Sequence, residues 1–326
     1  MDFSCFKPPE DLKISRKAFI EHLKKSGELN EQSLQVQVKA MESSGIGDHT
    51  YLPSSVILAN PPIDNCMKEA RREAEMVMFA VIDELFEKTK VRPKDISVLV
   101  VNCGLFSPTP SLSAMVINHY KMRENILSFN ISGMGCSAGI IALDLANDML
   151  QVYKATYAIV VSTENITSSL YTRNQTLRML NTVTSSLLLQ DQNYMSNTTS
   201  SLYTQDRMPI STNITTSLCT ENQNSTFVLP TTLFRLGGTA ILLSNKQKDK
   251  SRARYQLQHI IRTHNGSHDT SFRSIYQEEE RDIDNKKVLS LSSNVIRVTQ
   301  EAIKTNIITL APLVLPLRHK FIFLIT

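Results

Sequence analysis

The residues best placed for chemistry lie in the string NISGMGCSAGIIALDLANDML, residues 130–150. An apolar run ending at Ile131 predicts a strand, Gly133 and Gly135 turn the chain, and the next residues follow a helical period. Cys136 therefore falls at a helix N-terminus. Asp144, Asn147, Asp148 and Gln151 share one face of that helix, while Ala138, Ile141, Ala142, Leu145 and Met149 fill the other, so the helix is expected to be largely buried. A thiol in this place meets N–H groups without intrahelical partners and the positive end of the macrodipole. Both favour thiolate and lower a cysteine pKa by roughly one to several units. The thiolate is a nucleophile, and the same N–H groups can bind an oxyanion. The expectation is a largely buried Cys136 with backbone N–H groups directed at its sulfur. A free cysteine that simply packs would occupy the same place, and position alone weighs the two readings equally.

Other chemistries find less support. Gly133, Gly135 and Gly139 form GxGxxxG, one residue too long for a dinucleotide fingerprint, and no GxxxxGK[ST], HExxH or GxSxG string occurs. The remaining cysteines, Cys5, Cys66, Cys103 and Cys219, are far apart and never form CxxC, which argues against a disulfide framework or a zinc site. Reduced thiols in the cytosol fit best. Cys103 follows a predicted strand and Cys219 stands where sister segments carry Tyr171 and Tyr203, and both read as structural. His22, His49, His119, His259, His268 and His319 show no ligand spacing. No cofactor or metal is expected.

The elements that must position Cys136 follow from periodicity. Two short helices are expected within 15–45, with Phe19, Ile20 and Leu23 on one face of the first, closed by the turn SSGIGDHTYLP. From Met67 to Lys90, Ala70, Ala74, Val77, Val81, Ile82 and Leu85 recur at three and four residues while Lys, Arg and Glu fill the remainder, which predicts an amphipathic helix. Strands are expected at Ile96–Val101, Ile126–Ile131, Ala155–Ser162 and Thr239–Leu243, with helices between the first three. Two more strands and a helix around Ile303 are expected in 255–326, and Leu310–Thr326 reads as interrupted core sequence. The alternation predicts a layered α/β fold.

Hydrophobic residues make up 41% and charged residues 20% of the 326, which excludes a disordered chain. The net charge of +4 is spread rather than gathered in a stripe, so nucleic acid binding gets no support. No run of 18 uncharged apolar residues and no signal peptide is present, so no membrane span is expected.

Residues 165–229 are of another texture. Asn165, Asn181, Asn197 and Asn213 step by 16 residues and head NITSSLYTRNQ, NTVTSSLLLQDQ, NTTSSLYTQDR and NITTSLCTENQ. Each copy carries too few apolar residues for a solenoid, so the block reads as a tandem insertion projecting as the least ordered part of the chain. The sequons at Asn165, Asn174, Asn197, Asn213 and Asn224 follow from copying a Ser/Thr-rich unit.

The strings CFKPPEDLK, SSGIGDHTYLP, VVNCGLFSPTPSLSAMVINHYKMR, SFNISGMGCSAGIIALDLANDMLQ, STENIT, LFRLGGTAILLSNK, RTHNGSHD and APLVLP, in this order, resemble plant 3-ketoacyl-CoA synthases, the condensing enzymes of very-long-chain fatty acid elongation. The resemblance implies a thiolase-like α/β fold whose two similar halves sandwich buried helices. One condensing-enzyme domain would span 1–326, with the N-terminal half complete apart from the 165–229 insertion and the second half beginning at 247. It implies that Cys136 carries the acyl group, and His264 in RTHNGSHD matches a family histidine, which equally suits a hydrogen-bonded histidine at a strand end. Implied substrates are long-chain acyl-CoA and malonyl-CoA, with CoA thioesters consumed rather than held as cofactors. A homodimer and other elongase subunits are the implied partners, and the cytosolic face of the endoplasmic reticulum the implied location, although the chain itself could be cytosolic. Departures are Ser132 for the family's Gly, Asn265 and Ser267 for the commoner Lys and Ala, and a chain ending soon after APLVLP, ahead of the family's further His and Asn. The chain is therefore expected to be acylated without condensing efficiently. A non-catalytic remnant that pairs with an intact synthase is the alternative, and a type III polyketide synthase, which shares the fold and the cysteine, a third reading against which SSGIGDHTYLP and LSAMVINHYKM argue.

Overall fold

The computed structural model of the chain describes residues 1–26, 31–57, 66–167, 234–280, 286–291 and 294–316. They divide into two compact units, the first holding residues 1–14, 49–57, 66–167 and 234–260, the second residues 15–26, 31–48, 261–280, 286–291 and 294–316.

The first unit is organised by a five-stranded sheet of β1 (Asp2–Cys5), β4 (Ile96–Asn102), β5 (Leu127–Ile131), β6 (Tyr157–Thr163) and β7 (Gly238–Ser244), in the order β1-β7-β6-β4-β5. β4 pairs parallel with both β5 and β6, whereas β7 runs antiparallel to β6 and β1. Parallel neighbours need crossovers, and helices α5 (Leu112–Tyr120) and α6 (Ala138–Val152) supply them. The strand period of two sorts β4 between layers. Leu99 and Val101 join Met78, Val81, Ile82 and Leu85 of α4 (Cys66–Thr89) and Leu112 and Val116 of α5, while Val98 and Val100 meet Ala142, Ala146 and Leu150 of α6. Helix, sheet and helix thus form three layers, as the alternation of elements predicts. Ser111 caps α5 by accepting the Ala114 N–H at 3.1 Å. Two short strands, β2 (Lys13–Ile14) and β3 (Thr50–Tyr51), pair beside this body, and α3 (Ser54–Ile57) is a single turn.

Three features depart from expectation. β1 has no alternating apolar pattern and is a strand because β7 offers it a ladder 236 residues later, from Asp2↔Leu242 to Cys5↔Thr239. The turn expected at SSGIGDHTYLP includes β3. In α6 the buried line is Ala138, Ala142, Ala146 and Leu150, four residues apart, with Ile141, Leu145 and Met149 half-buried and Ile140 exposed, so the helix buries one stripe rather than most of its surface. Small alanines let its backbone lie close on the sheet, which rotates the stripe away from the bulkier residues.

In the second unit α1 (Arg16–Ser26) packs on α2 (Glu31–Ser43), with Phe19, Leu23 and Met41 buried. The two strands and helix expected near the C-terminal end are β8 (Ile275–Glu280), β9 (Lys286–Leu291), which form an antiparallel pair, and α8 (Val295–Val314), preceded by the one-turn α7 (Asp269–Phe272). Ile303, Ile307 and Ile308 of α8 are exposed, and in the described part of the expected core stretch, 310–316, Leu313 and Val314 are exposed and no residue is buried. The tandem copies lie outside the described residues, except that Asn165, Ile166 and Thr167 are buried in the first unit.

Candidate active site

Three parallel strands end side by side. Asn102 at the end of β4 pairs with Ile131 of β5 and Ser162 of β6, so Cys103, the Ser132–Ser137 turn and Glu164 emerge from one edge of the sheet. The carboxyl ends of parallel strands are where α/β folds hold reactive groups. Asn102 ties the edge together: its Nδ2 donates to Ser162 Oγ at 2.6 Å and to the Val161 carbonyl at 3.3 Å. The Cys103 N–H continues the ladder to the Ile131 carbonyl at 3.2 Å.

Cys136 lies in a tight 3-10 turn, Gly135–Ser137, that runs directly into α6. Gly133 at φ +69° and Gly135 at φ +55° are both left-handed, a conformation that costs an L side chain roughly 1–2 kcal/mol. Ser132 stands outside that region, so a serine fits there without strain. Ser137 Oγ closes the turn by donating to the Met134 carbonyl at 2.7 Å. The placement at a helix start agrees with the sequence; the burial does not. Every residue from Gly133 to Ser137 is exposed, and no N–H among the described residues bonds to the Cys136 sulfur. The turn comes before the packed stripe of α6, which begins at Ala138, so among the first unit's described residues nothing covers the thiol.

Cys103 is its opposite. It is fully buried, its Sγ donates to Glu164 Oε1 at 3.2 Å, and burial together with that carboxylate pushes the thiol up to about 12 from its ordinary 9.0. The structural reading of Cys103 holds.

Glu164 was not singled out by sequence reasoning. Its carboxylate also accepts the N–H groups of Gly104 at 3.1 Å, Leu105 at 2.9 Å and Asn165 at 3.1 Å. The only signal was an acid two residues past the strand expected at Ala155–Ser162. Glu73 of α4 is one of the charged residues between the apolar positions of that helix, yet it is 4% exposed and accepts the N–H groups of Ile166 and Thr167, each at 2.7 Å. Burial raises its carboxyl above the ordinary range. Asn165 Nδ2 donates to the Ala70 carbonyl at 2.7 Å, which occupies the first of the sequon asparagines.

His264 is exposed in the second unit, ahead of α7, and its Nδ1 accepts the Gly266 N–H at 3.2 Å. An accepting Nδ1 on a neutral ring leaves the proton on Nε2. Cys136 and His264 stand in different units. Among the described residues no group of three or more His, Cys, Asp or Glu could hold a metal, and no helix is long and apolar enough to cross a membrane.

Comparison with known proteins agrees with this geometry. 3-Ketoacyl-CoA synthase 4 of Arabidopsis thaliana is 43% identical over 326 residues, covering 100% of this chain and 53% of its own. 3-Ketoacyl-CoA synthase 11 of the same plant is 44% identical, covering 100% and 54%. The chain spans about half the length of the curated relatives it matches. Among solved structures, a fungal type III polyketide synthase superposes with a TM-score of 0.64 at 15% identity over 97% of this chain and 73% of that one. The polyketide synthase PKS-I of the brown alga Ectocarpus siliculosus gives 0.63 at 16% over 98% and 72%. The α/β fold is thus the thiolase-like fold of those enzymes. A family model described as FAE1/Type III polyketide synthase-like protein matches residues 1–184 and 197–326, and the chain belongs to that family.

Proposed function

We propose that the chain carries the nucleophile of a condensing acyltransferase, a 3-ketoacyl-CoA synthase acting on long-chain acyl-CoA and malonyl-CoA. The observation that carries this reading is the exposed Cys136 on a two-glycine turn between the end of β5 and the start of α6. The names of its relatives supply the product class, a 3-ketoacyl-CoA.

In this mechanism the Cys136 sulfur attacks the acyl-CoA carbonyl, the bond to the CoA sulfur breaks, and CoA leaves with the thiol's proton. Malonyl-CoA then loses CO₂, and the resulting enolate carbon attacks the acyl thioester. The carbon–sulfur bond to Cys136 breaks, releasing 3-ketoacyl-CoA, and the thiolate takes up a proton. The first step needs a nucleophile and oxyanion donors, which the opening turn of a helix can provide. The second needs donors to the enolate in a site closed to water. An exposed Cys136 suits the first step better than the second, which favours acylation without efficient condensation by these 326 residues. His264, with a proton on Nε2, is the candidate enolate donor, and 247–326 the opening of the second half of the condensing-enzyme domain. Among the described residues β5 ends the sheet, and that edge suits pairing with a second copy in a homodimer. Association with other elongase subunits on the cytosolic face of the endoplasmic reticulum completes the reading.

The test is to incubate the chain with labelled long-chain acyl-CoA, with and without malonyl-CoA, and to follow both acyl-enzyme and condensed product. Label on the Cys136 peptide that is lost in Cys136→Ala supports the reading. Absence of label on Cys136 overturns it. Product formed by the chain and lost in His264→Gln would place condensation within these residues. Label with little or no product is the outcome this reading expects, whereas no label together with capture of an intact synthase favours the second reading, a non-catalytic binding partner.

A further inference from the structure

The carboxylate of Glu164 gathers four donors from two segments: the Cys103 thiol and the Gly104 and Leu105 N–H groups beyond β4, and the Asn165 N–H beyond β6. Both oxygens accept, which a carboxylate can do and a carboxamide cannot. The loop it holds lies directly behind the nucleophile turn. A methyl placed on Gly104 would come within 2.8 Å of Glu164 Oε2 and 3.8 Å of the Gly135 Cα. A side chain at Gly104 would thus collide with the carboxylate while lying in ordinary contact with the residue preceding Cys136. Glu73, which pins the next two residues of the same segment through two N–H groups, makes no hydrogen bond to that loop among the described residues.

We propose that Glu164 is a positioning residue for Cys136, holding the 103–105 loop as the backstop on which the Gly133–Ser137 turn rests. The proposal rests on Cys136 being the nucleophile, but it concerns the thiol's placement and not which thioester it attacks. Replacing the acceptor-only carboxylate by an amide sets an NH₂ against at least one of the four donors, which frees the loop and lets the turn drift. Gly104→Ala reaches the same contact from the other side, leaving the carboxylate in place chemically but displaced.

The experiment reads alkylation of the full chain by iodoacetamide at fixed pH, with the Cys136 peptide followed by mass spectrometry and folding by thermal melting. This needs no acyl-CoA, so it can succeed where the proposed activity fails. Glu164→Gln and Gly104→Ala are each expected to slow alkylation of Cys136 several-fold, and the double variant to slow it little more than either alone, because both act on one contact. Glu73→Gln is expected to lower the melting temperature without changing the Cys136 rate. Wild-type rates in both Glu164→Gln and Gly104→Ala, or a Glu73→Gln variant slowed as much as Glu164→Gln, would overturn the proposal, the latter by reducing Glu164 to general support of the fold. Should Glu164→Gln not fold, Gly104→Ala against Glu73→Gln decides alone.

Discussion

The ends of β4 and β5 present two cysteines a few residues past neighbouring parallel strands, and they differ in everything that governs a thiol. Cys103 is fully buried, donates to a carboxylate, and is held as a neutral thiol by a pKa near 12. Cys136 is exposed on a glycine turn that opens a helix. A strand's carboxyl end is therefore not enough to make a nucleophile. The decisive differences are a neighbouring negative charge and the removal of water, both of which penalise thiolate at Cys103. The same Glu164 that silences Cys103 anchors the loop behind Cys136, so one carboxylate serves both ends.

The largest test of this contrast is removal of each sulfur. Cys136→Ala should abolish acyl-enzyme, whereas Cys103→Ala should leave it within a few-fold of wild type and cost about 1 kcal/mol in a urea melt for the lost hydrogen bond. Equal losses in both would dissolve the distinction. The next is reactivity: with a pKa of about 12, only about one Cys103 in 10⁴ is thiolate at pH 8. Native alkylation should therefore spare it until denaturant exposes it, as peptide mapping would show. A third sharpens the cause. Because the Cys103 pKa is raised in the fold, the folded state binds more protons than the unfolded one between pH 9 and 12, and stability falls as pH rises through that window. The slope approaches about 1.4 kcal/mol per pH unit at most, and Cys103→Ala should flatten it in denaturant melts at pH 8 and 10. The smallest effect belongs to the other end of the comparison. Gly135→Ala meets open space but must adopt φ +55°, so it should cost on the order of 1 kcal/mol in stability, with slower acylation of Cys136 in a single-turnover assay.

Much of the first unit was legible before any coordinates. The three-and-four spacing from Ala70 to Leu85 marks α4, the apolar run of β-branched character at 96–101 marks a strand covered on both faces, and strand, glycine turn and helix in succession put Cys136 at the start of α6. What escaped was non-local. β1 has a single buried residue, Ser4, and exists only because β7 pairs with it. Glu73 sits at a helical position that reads as solvent-facing, and only the return of the chain at Ile166 and Thr167 gives it buried N–H partners. Glu164 stood in view within STENIT, yet no local pattern announces that its four donors come partly from a loop some 60 residues earlier.

The sequence by itself determined the alternation of elements, the α/β class and the identity of the residue at the helix start, because periodicity, glycine turns and caps act over a few neighbouring residues. Only the tertiary structure decided that Cys136 is exposed while Cys103 is buried, and that Glu164 lies between Cys103 and the backbone behind the turn. Burial and proximity of charge are properties of segments brought together across the sheet edge. They set a thiol's protonation through solvation and Coulomb interaction, and neither quantity is written in the spacing of residues along the chain.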